Sequence, residues 1–348
     1  MNSKERVLTT FAHQEPDRVP LWCGASPEFW EKSKQEPGIE SDEQLRQRFG
    51  DDFRSVYTVY NGPKQELHGD ATSATVFGVE RHGLGYGQPT SIPLAHAETV
   101  KEVHDYPWPD PDWMDISDVR RQAASYTNDY AIMGGEWSPF WHDVIDLLGM
   151  ENMYMQMYDN PEVVDAVFQH VVDFYYEVTR RTFETAADLI DIFFLGNDFG
   201  SQEGPLLGQG FFRRYVQPHL KRLVDLGHQY DLKVQLHCCG GIVPLYPCLI
   251  EAGIDAHHSV QPSCRDMDLS FPKKTYGDKL VFNGAIDSHH VLIDGNPELI
   301  REKTREVLDI MMPGGGFAAG ASHDYILEET PVENVTTMFD TIREYGQY

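Results

Sequence analysis

His237, Cys238 and Cys239 end the apolar run Val234-Gln235-Leu236 and are followed at once by Gly240 and Gly241. Alternation along a strand sends His237 and Cys239 to one face and Cys238 to the other. In a parallel α/β fold the C-terminal end of a strand is where the strand-to-helix loops open and ligands bind. An imidazole beside a thiol at such a place suits metal binding or catalysis. The plainer alternative is a core histidine beside a cysteine acting as a small buried hydrophobe. Zinc is the metal this pair fits best, because it takes nitrogen and sulfur ligands tetrahedrally and a catalytic site keeps one position open. A thiol entering that position is deprotonated by the metal and becomes a nucleophile at neutral pH. The third ligand has to come from another strand end, with His323, Glu136 and Asp198 the candidates by position. The expectation is a shell of His237, Cys239 and His323, with Glu136 as the alternative, since Gly134-Gly135 before it allows close approach.

The elements that must position these side chains follow a strand–helix rhythm. Apolar, β-branched or aromatic runs near residues 20, 55, 131, 190, 234, 256, 280 and 317 give eight strands. Helical patterns follow most of them, among them Phe140 to Leu148, Pro161 to Ala187 and Gly210 to Tyr230. This predicts an α/β fold, a (β/α)8 TIM-type barrel with N-terminal helical and hairpin elaborations, spanning 1–348 as a single domain. An open doubly wound sheet is the runner-up. The elaborations are a first helix over Ser3 to His13, a polar helical stretch from Ser26 to Phe49, and hairpins from Thr75 to Pro93. The strand of Phe53 to Tyr60 is expected to be continuous, and Val19 to Gly24 is expected as the first core strand.

A barrel gathers its strand ends. The mouth then holds Cys23, Tyr60, Asn61, Glu136, Trp137, Asn197, Asp198, Gln202, His237, Cys239, His257 or His258, Gln261, Asp287, His289, His290, Ser322, His323 and Asp324. Glu136 and Asp198 equally suit capping of the helices that follow them.

Composition narrows the partners. A formal charge of −27 argues against nucleic acid and against an anionic membrane surface, and makes a highly anionic substrate awkward. No apolar run approaches the roughly 18 residues of a membrane span, and Met1 to Arg6 carries no apolar leader, so a cytoplasmic protein is expected. Five cysteines, three of them between Cys238 and Cys248, point to reduced thiols or metal ligands rather than a disulfide scaffold.

Glu15-Pro16-Asp17-Arg18-Val19-Pro20, Asn197 to Gln202, His237-Cys238-Cys239-Gly240, Val260-Gln261-Pro262, Asn283 to Asp287 and Gly314-Gly315-Gly316 leading to Ser322-His323-Asp324 together resemble the uroporphyrinogen decarboxylase superfamily. The resemblance runs along nearly the whole chain and implies a (β/α)8 barrel. That superfamily holds metal-free decarboxylation of a tetrapyrrole and methyl transfer between a corrinoid and a thiol or other acceptor. The decarboxylases carry arginines after the first strand and an aspartate after the next, where this chain has Trp22 to Pro27 and Tyr57 to Asn61. The zinc methyltransferases carry His-x-Cys at the place of His237 and Cys239, and a late cysteine where this chain has Gly320-Ala321-Ser322-His323. The resemblance therefore implies a methyltransferase of corrinoid-dependent one-carbon metabolism, zinc-assisted, with Asp198, Gln202 and His323 acting on a small-molecule substrate. The corrinoid would ride on a separate partner protein. A decarboxylase of another carboxylate, or a non-catalytic corrinoid- or tetrapyrrole-binding barrel, are the alternatives.

Overall fold

The computed structural model describes residues 1–36, 38–83, 87–126 and 128–348. Seven parallel strands form one sheet in sequence order: β1 (Phe53–Ser55), β2 (Ala131–Gly134), β3 (Ile192–Gly196), β4 (Lys233–His237), β5 (Ala256–Val260), β6 (Val281–Ile286) and β7 (Phe317–Ala321). The eighth stave is present without being a regular strand. Residues 19–22 lie between β7 and β1: Ala319 N donates to Pro20 O at 2.8 Å, Trp22 N to Ala319 O at 3.0 Å, and Asp52 N to Leu21 O at 2.9 Å. The barrel closes through this seam, as the strand count required.

The seam is irregular for a chemical reason. Pro20 has no N–H to give a ladder, and the Leu21 amide donates at 2.7 Å to the carboxylate of Asp52 instead of to a neighbouring strand. The same buried carboxylate receives Arg6 Nη1 at 2.8 Å and Arg18 Nη1 at 2.8 Å. Arg6 is held in turn by Asp17 through Nε at 2.7 Å. The sequence Asp17-Arg18-Val19-Pro20 is thus a clasp. Helix Ser3–Phe11, with an Asn2/Glu5 capping box, plugs the floor of the barrel with Val7 and Phe11.

Inside, Phe53, Ala131, Met133, Ile192, Ala256, Val281 and Ala318 pack with Trp22 into the inner core. Outside, the helices cover the strands' other faces. Pro161–Ala186 shows how: Pro161 fits the first turn, and Val164, Val167, Phe168, Val171, Val172, Tyr175, Val178 and Phe183 recur at helical spacing and are buried.

The expected strand from Phe53 to Tyr60 is broken. Val56 N still reaches Met133 O, but Tyr57 N turns to the Gln122 side chain, and Val59–Tyr60 pairs antiparallel with Met114–Asp115 outside the barrel. The polar stretch from Ser26 to Phe49 is two helices, Pro27–Ser33 and Asp42–Phe49, each capped by a serine, Ser26 and Ser41. The hairpin excursion is a three-stranded antiparallel sheet of Ser73–Ala74, Glu80–His82 and Gln88–Pro89; residues 84–86 within it lie outside the described residues. No helix among the described residues is long and apolar enough to cross a membrane.

Replacing Asp52 by alanine takes from the buried Arg6 guanidinium one of its two carboxylate partners, leaving Asp17, and frees the Leu21 amide, so stability should fall by about 3 kcal/mol, the lower end of the range for breaking a buried ion pair from one side. Denaturant unfolding checks this; a loss under about 1 kcal/mol, the size of an exposed pair, would remove the clasp from the account of closure.

Candidate functional site

Register sets the height of the site. Gly196, His237, His258 and Asn283 are paired across β3 to β6, so they occupy one level of the wall. Gly196 is small by necessity, because a Cβ there would overlap the ring of Trp137. The vacated space lets Trp137 lie over His237, their ring centres 5.4 Å apart and tilted by 33°.

His237 is oriented from behind. Its Nδ1 faces His258 Nδ1 at 3.0 Å, which leaves Nε2 toward Cys239 Sγ at 3.5 Å and Asp198 Oδ1 at 3.4 Å. His258 is neutral, since burial and then the neighbouring His237 hold it well below the usual histidine range. Both residues of the His257-His258 pair are buried. His258 faces into the barrel against Trp22, whereas His257 faces outward between the Tyr246 hydroxyl at 2.9 Å and the Cys238 carbonyl at 2.9 Å. Cys238 also points away from the mouth, its sulfur accepting from Phe199 N at 3.2 Å.

Asp198 joins the loops after β3 and β4. Its Oδ1 accepts from the Cys239 amide at 2.7 Å, and its Oδ2 faces His142 Nε2 at 3.4 Å. Burial raises this carboxyl, but hydrogen bonds and charge from His142 and His237 outweigh it and hold it far below the usual carboxylate range. Burial, then the charges of Asp198 and Asp324, push the Cys239 thiol well up. Gln261, after β5, fixes the next turn through Gly240 N at 2.6 Å. Gly240 has φ +95°, and a Cβ on it would lie 2.5 Å from the Gly200 carbonyl carbon.

Among the described residues, the donor atoms of Asp198, His237 and Cys239 lie within 4.8 Å of one another. One imidazole nitrogen, one sulfur and one carboxylate oxygen fit zinc by type. His323 lies outside this group, its Nδ1 facing Asp324 Oδ1 at 2.9 Å. Burial lowers His323 but the Asp324 carboxylate more than offsets it, so its pKa is raised. Glu136 also lies outside; its carboxylate accepts from the Thr58 hydroxyl, and burial raises its pKa. Neither Glu136 nor Asp198 caps the helix that follows it: Phe140–Leu148 follows Pro139 and Gln209–Phe211 follows Gly208, both without a side-chain cap. Gln202 sits in the exposed turn between Gly200–Ser201 and Gly204–Pro205, its carbonyl taken by Arg265 N.

His142 has no place in a reading confined to strand ends. It stands in the first turn of Phe140–Leu148, where His142, Asp143 and Asp146 interrupt an otherwise apolar helix. That polar stripe directly after a strand end was the available signal. Asp143 is buried with its carboxylate accepting from the Tyr175 hydroxyl at 2.6 Å, and burial pushes its pKa up to about 7.

A family model described as uroporphyrinogen decarboxylase (URO-D) matches residues 89–345. The methylcobamide:CoM methyltransferase MtbA of Methanosarcina mazei is 22% identical over 98% of both chains. MtbA of Methanosarcina acetivorans is 24% identical over 65% of this chain and 62% of its own length, so that match spans less than two thirds of the relative. A solved structure of a methyltransferase from Methanosarcina mazei superposes with a TM-score of 0.67 over 99% of both chains at 16% identity, which establishes a shared fold.

Two outcomes are expected here. Gly240→Ala should displace the loop that carries Cys239, lowering metal uptake while far-UV circular dichroism stays native; unchanged uptake would show that the loop tolerates the Cβ. The folded pKa of Asp143, about 7, is raised above its ordinary value of 3.8. A raised acid makes the folded state hold the extra proton, so its contribution falls as pH rises from about 4 to about 7. Asp143→Asn should flatten the pH dependence of stability in that window, as read by thermal melts at stepped pH.

Proposed function

The chain belongs to the uroporphyrinogen decarboxylase family, and we propose that within it this protein is a methyltransferase, moving a methyl group between a corrinoid and a small substrate or a thiol or folate acceptor. The observation that carries the reading is the Asp198, His237 and Cys239 donor group at the mouth of the barrel. The methylcobamide:CoM methyltransferase activity of the MtbA relatives supports it. So does the absence of arginine from Trp22 to Pro27, where the decarboxylases carry arginines.

His237, Cys239 and Asp198 would hold zinc, which when bound supplies a Lewis acid that keeps an acceptor sulfur in its thiolate form. The chain's own residues prepare the place. His258 fixes the ring of His237 so that Nε2 faces the donor group, the orienting role that partners of metal-ligating histidines perform. Asp198 pins the Cys239 amide and so sets the direction of the sulfur. Trp137 covers one face of His237 and keeps water from it. His323 and Asp324 form a charged pair beside the group, suited to binding substrate rather than metal. The corrinoid arrives on a separate protein.

Elemental analysis of the purified protein should find about one zinc per chain, the stoichiometry of a single three-ligand site. Cys239→Ala and Asp198→Ala should each lose most of it, and His323→Ala should retain it. Zinc loss in the His323 variant equal to that in the Cys239 variant would put His323 in the shell instead. Methylcobalamin mixed with a panel of thiols should lose its cobalt–carbon absorbance in the presence of the protein; no demethylation with any acceptor would count against methyl transfer.

A further inference from the structure

The loop after β3 grips the start of helix Phe140–Leu148 at two neighbouring points. Asn197 accepts from the Trp141 amide through Oδ1 at 2.9 Å and donates from Nδ2 to the Ser138 carbonyl at 3.0 Å, both in the buried interior. Asp198, the next residue along, meets the next side chain: His142 Nε2 stands 3.4 Å from Asp198 Oδ2. The helix is anchored on either side of His142. Trp141 is fully buried against Phe168 and Phe199, and the Asp143 carboxylate accepts from the Tyr175 hydroxyl at 2.6 Å. Backbone held by its neighbours therefore aims His142, whose own side chain is about one-third exposed and borders a cavity of about 650 Å³.

The two oxygens of Asp198 have separate duties. Oδ1 takes the Cys239 amide at 2.7 Å and faces His237 Nε2 at 3.4 Å, so it is the oxygen turned to the donor group. Oδ2 is turned to His142. The carboxyl is held in its ionised form and can only accept, which makes His142 Nε2 the donor. A carboxylate engaged in this way on one oxygen resists swinging and presents the other oxygen, the service that outer partners perform for metal ligands.

Resting on the zinc-assisted reading, we propose that His142 is the positioning residue of Asp198, holding Oδ2 so that Oδ1 alone serves the metal and the Cys239 amide and the fourth zinc position stays open. His142 acts through Asp198 and is not one of the three donor residues.

His142→Leu and His142→Gln test this, because the two replacements are close in size and differ in having a donor. Zinc affinity, read by competition with a chelator, should weaken by roughly ten- to hundredfold in the leucine variant, the loss expected when the partner of a metal ligand is removed. The glutamine variant should keep most of it. In the leucine variant Oδ2 is free to join the metal, so the visible bands of the cobalt(II)-substituted protein, strong in four-coordinate sites, should weaken there and persist with glutamine. The Cys239 amide gives a metal-free readout. Cysteine-selective isotope labelling leaves five amides to resolve by NMR, and hydrogen exchange at Cys239 should quicken in the leucine variant alone. Native zinc affinity in the leucine variant, or equal losses with leucine and glutamine, overturns the inference. Should the leucine variant fail to fold, His142→Ala takes its place beside glutamine. If the native protein takes up no zinc, the zinc-assisted reading falls and exchange at Cys239 decides on His142 by itself, faster exchange with leucine supporting it and unchanged exchange overturning it. Zinc uptake by the native protein with the same affinity in the leucine variant does the reverse, keeping the zinc reading and removing His142.

Discussion

A single buried carboxylate decides whether this sheet is a barrel. Asp52 binds Arg6, Arg18 and the Leu21 amide, and thereby holds an irregular segment in the gap between the first and last strands. The Ala319 amide donating to the Pro20 carbonyl, and the Trp22 amide donating to the Ala319 carbonyl, then complete the circle. An open sheet would leave unpaired edges at β1 and β7 and spread the strand ends along a line. Closure converges them, and a convergent mouth is what brings residues 136, 198, 237 and 323 into one neighbourhood.

Within that neighbourhood the donor group is made by loops tied to each other more than by any one motif. Asp198 leaves β3 and takes the amide of Cys239; Gln261 leaves β5 and takes the amide of Gly240. Gly240 in turn packs against the backbone of Gly200 and Ser201. Three consecutive staves are therefore stitched at their upper ends, and the distance between sulfur, imidazole and carboxylate is a property of the stitching. Removing the side chain of Asp198 takes away both a donor atom and a seam.

Much of this was legible in the sequence because periodicity is local. The strands near 131, 190, 234, 256, 280 and 317 and the helix Phe140–Leu148 follow from runs that carry their own burial pattern. The break after Val56 was not legible, since it depends on Gln122 taking the Tyr57 amide from 65 residues away. The eighth stave was legible as the apolar run from Val19, but its irregular pairing was not, since the Leu21 amide goes to the Asp52 side chain. His237 and Cys239 sharing a face follows from strand alternation, and the structure places their side chains 3.5 Å apart. Which third side chain meets them is a question of loop paths, so Asp198 and His323 were equivalent by position and are distinguished only by the Cys239 amide and the Asp324 partner. His142 escaped notice because it is presented by a helix start rather than a strand end.

The seam between β7 and β1 also sets an order of events during synthesis. Residues 19–22 emerge early, yet their partner Ala319 lies about three hundred residues later in the chain. Until then the growing sheet exposes the unpaired edge of β1 and, successively, that of each new strand. The Asp52 clasp can form beforehand, because its hydrogen bonds join only residues 6–52. The clasp thus holds the closing segment in register on β1 while the ribosome is still making the strand it will receive, which makes closure a docking of the last strand onto a prepared edge.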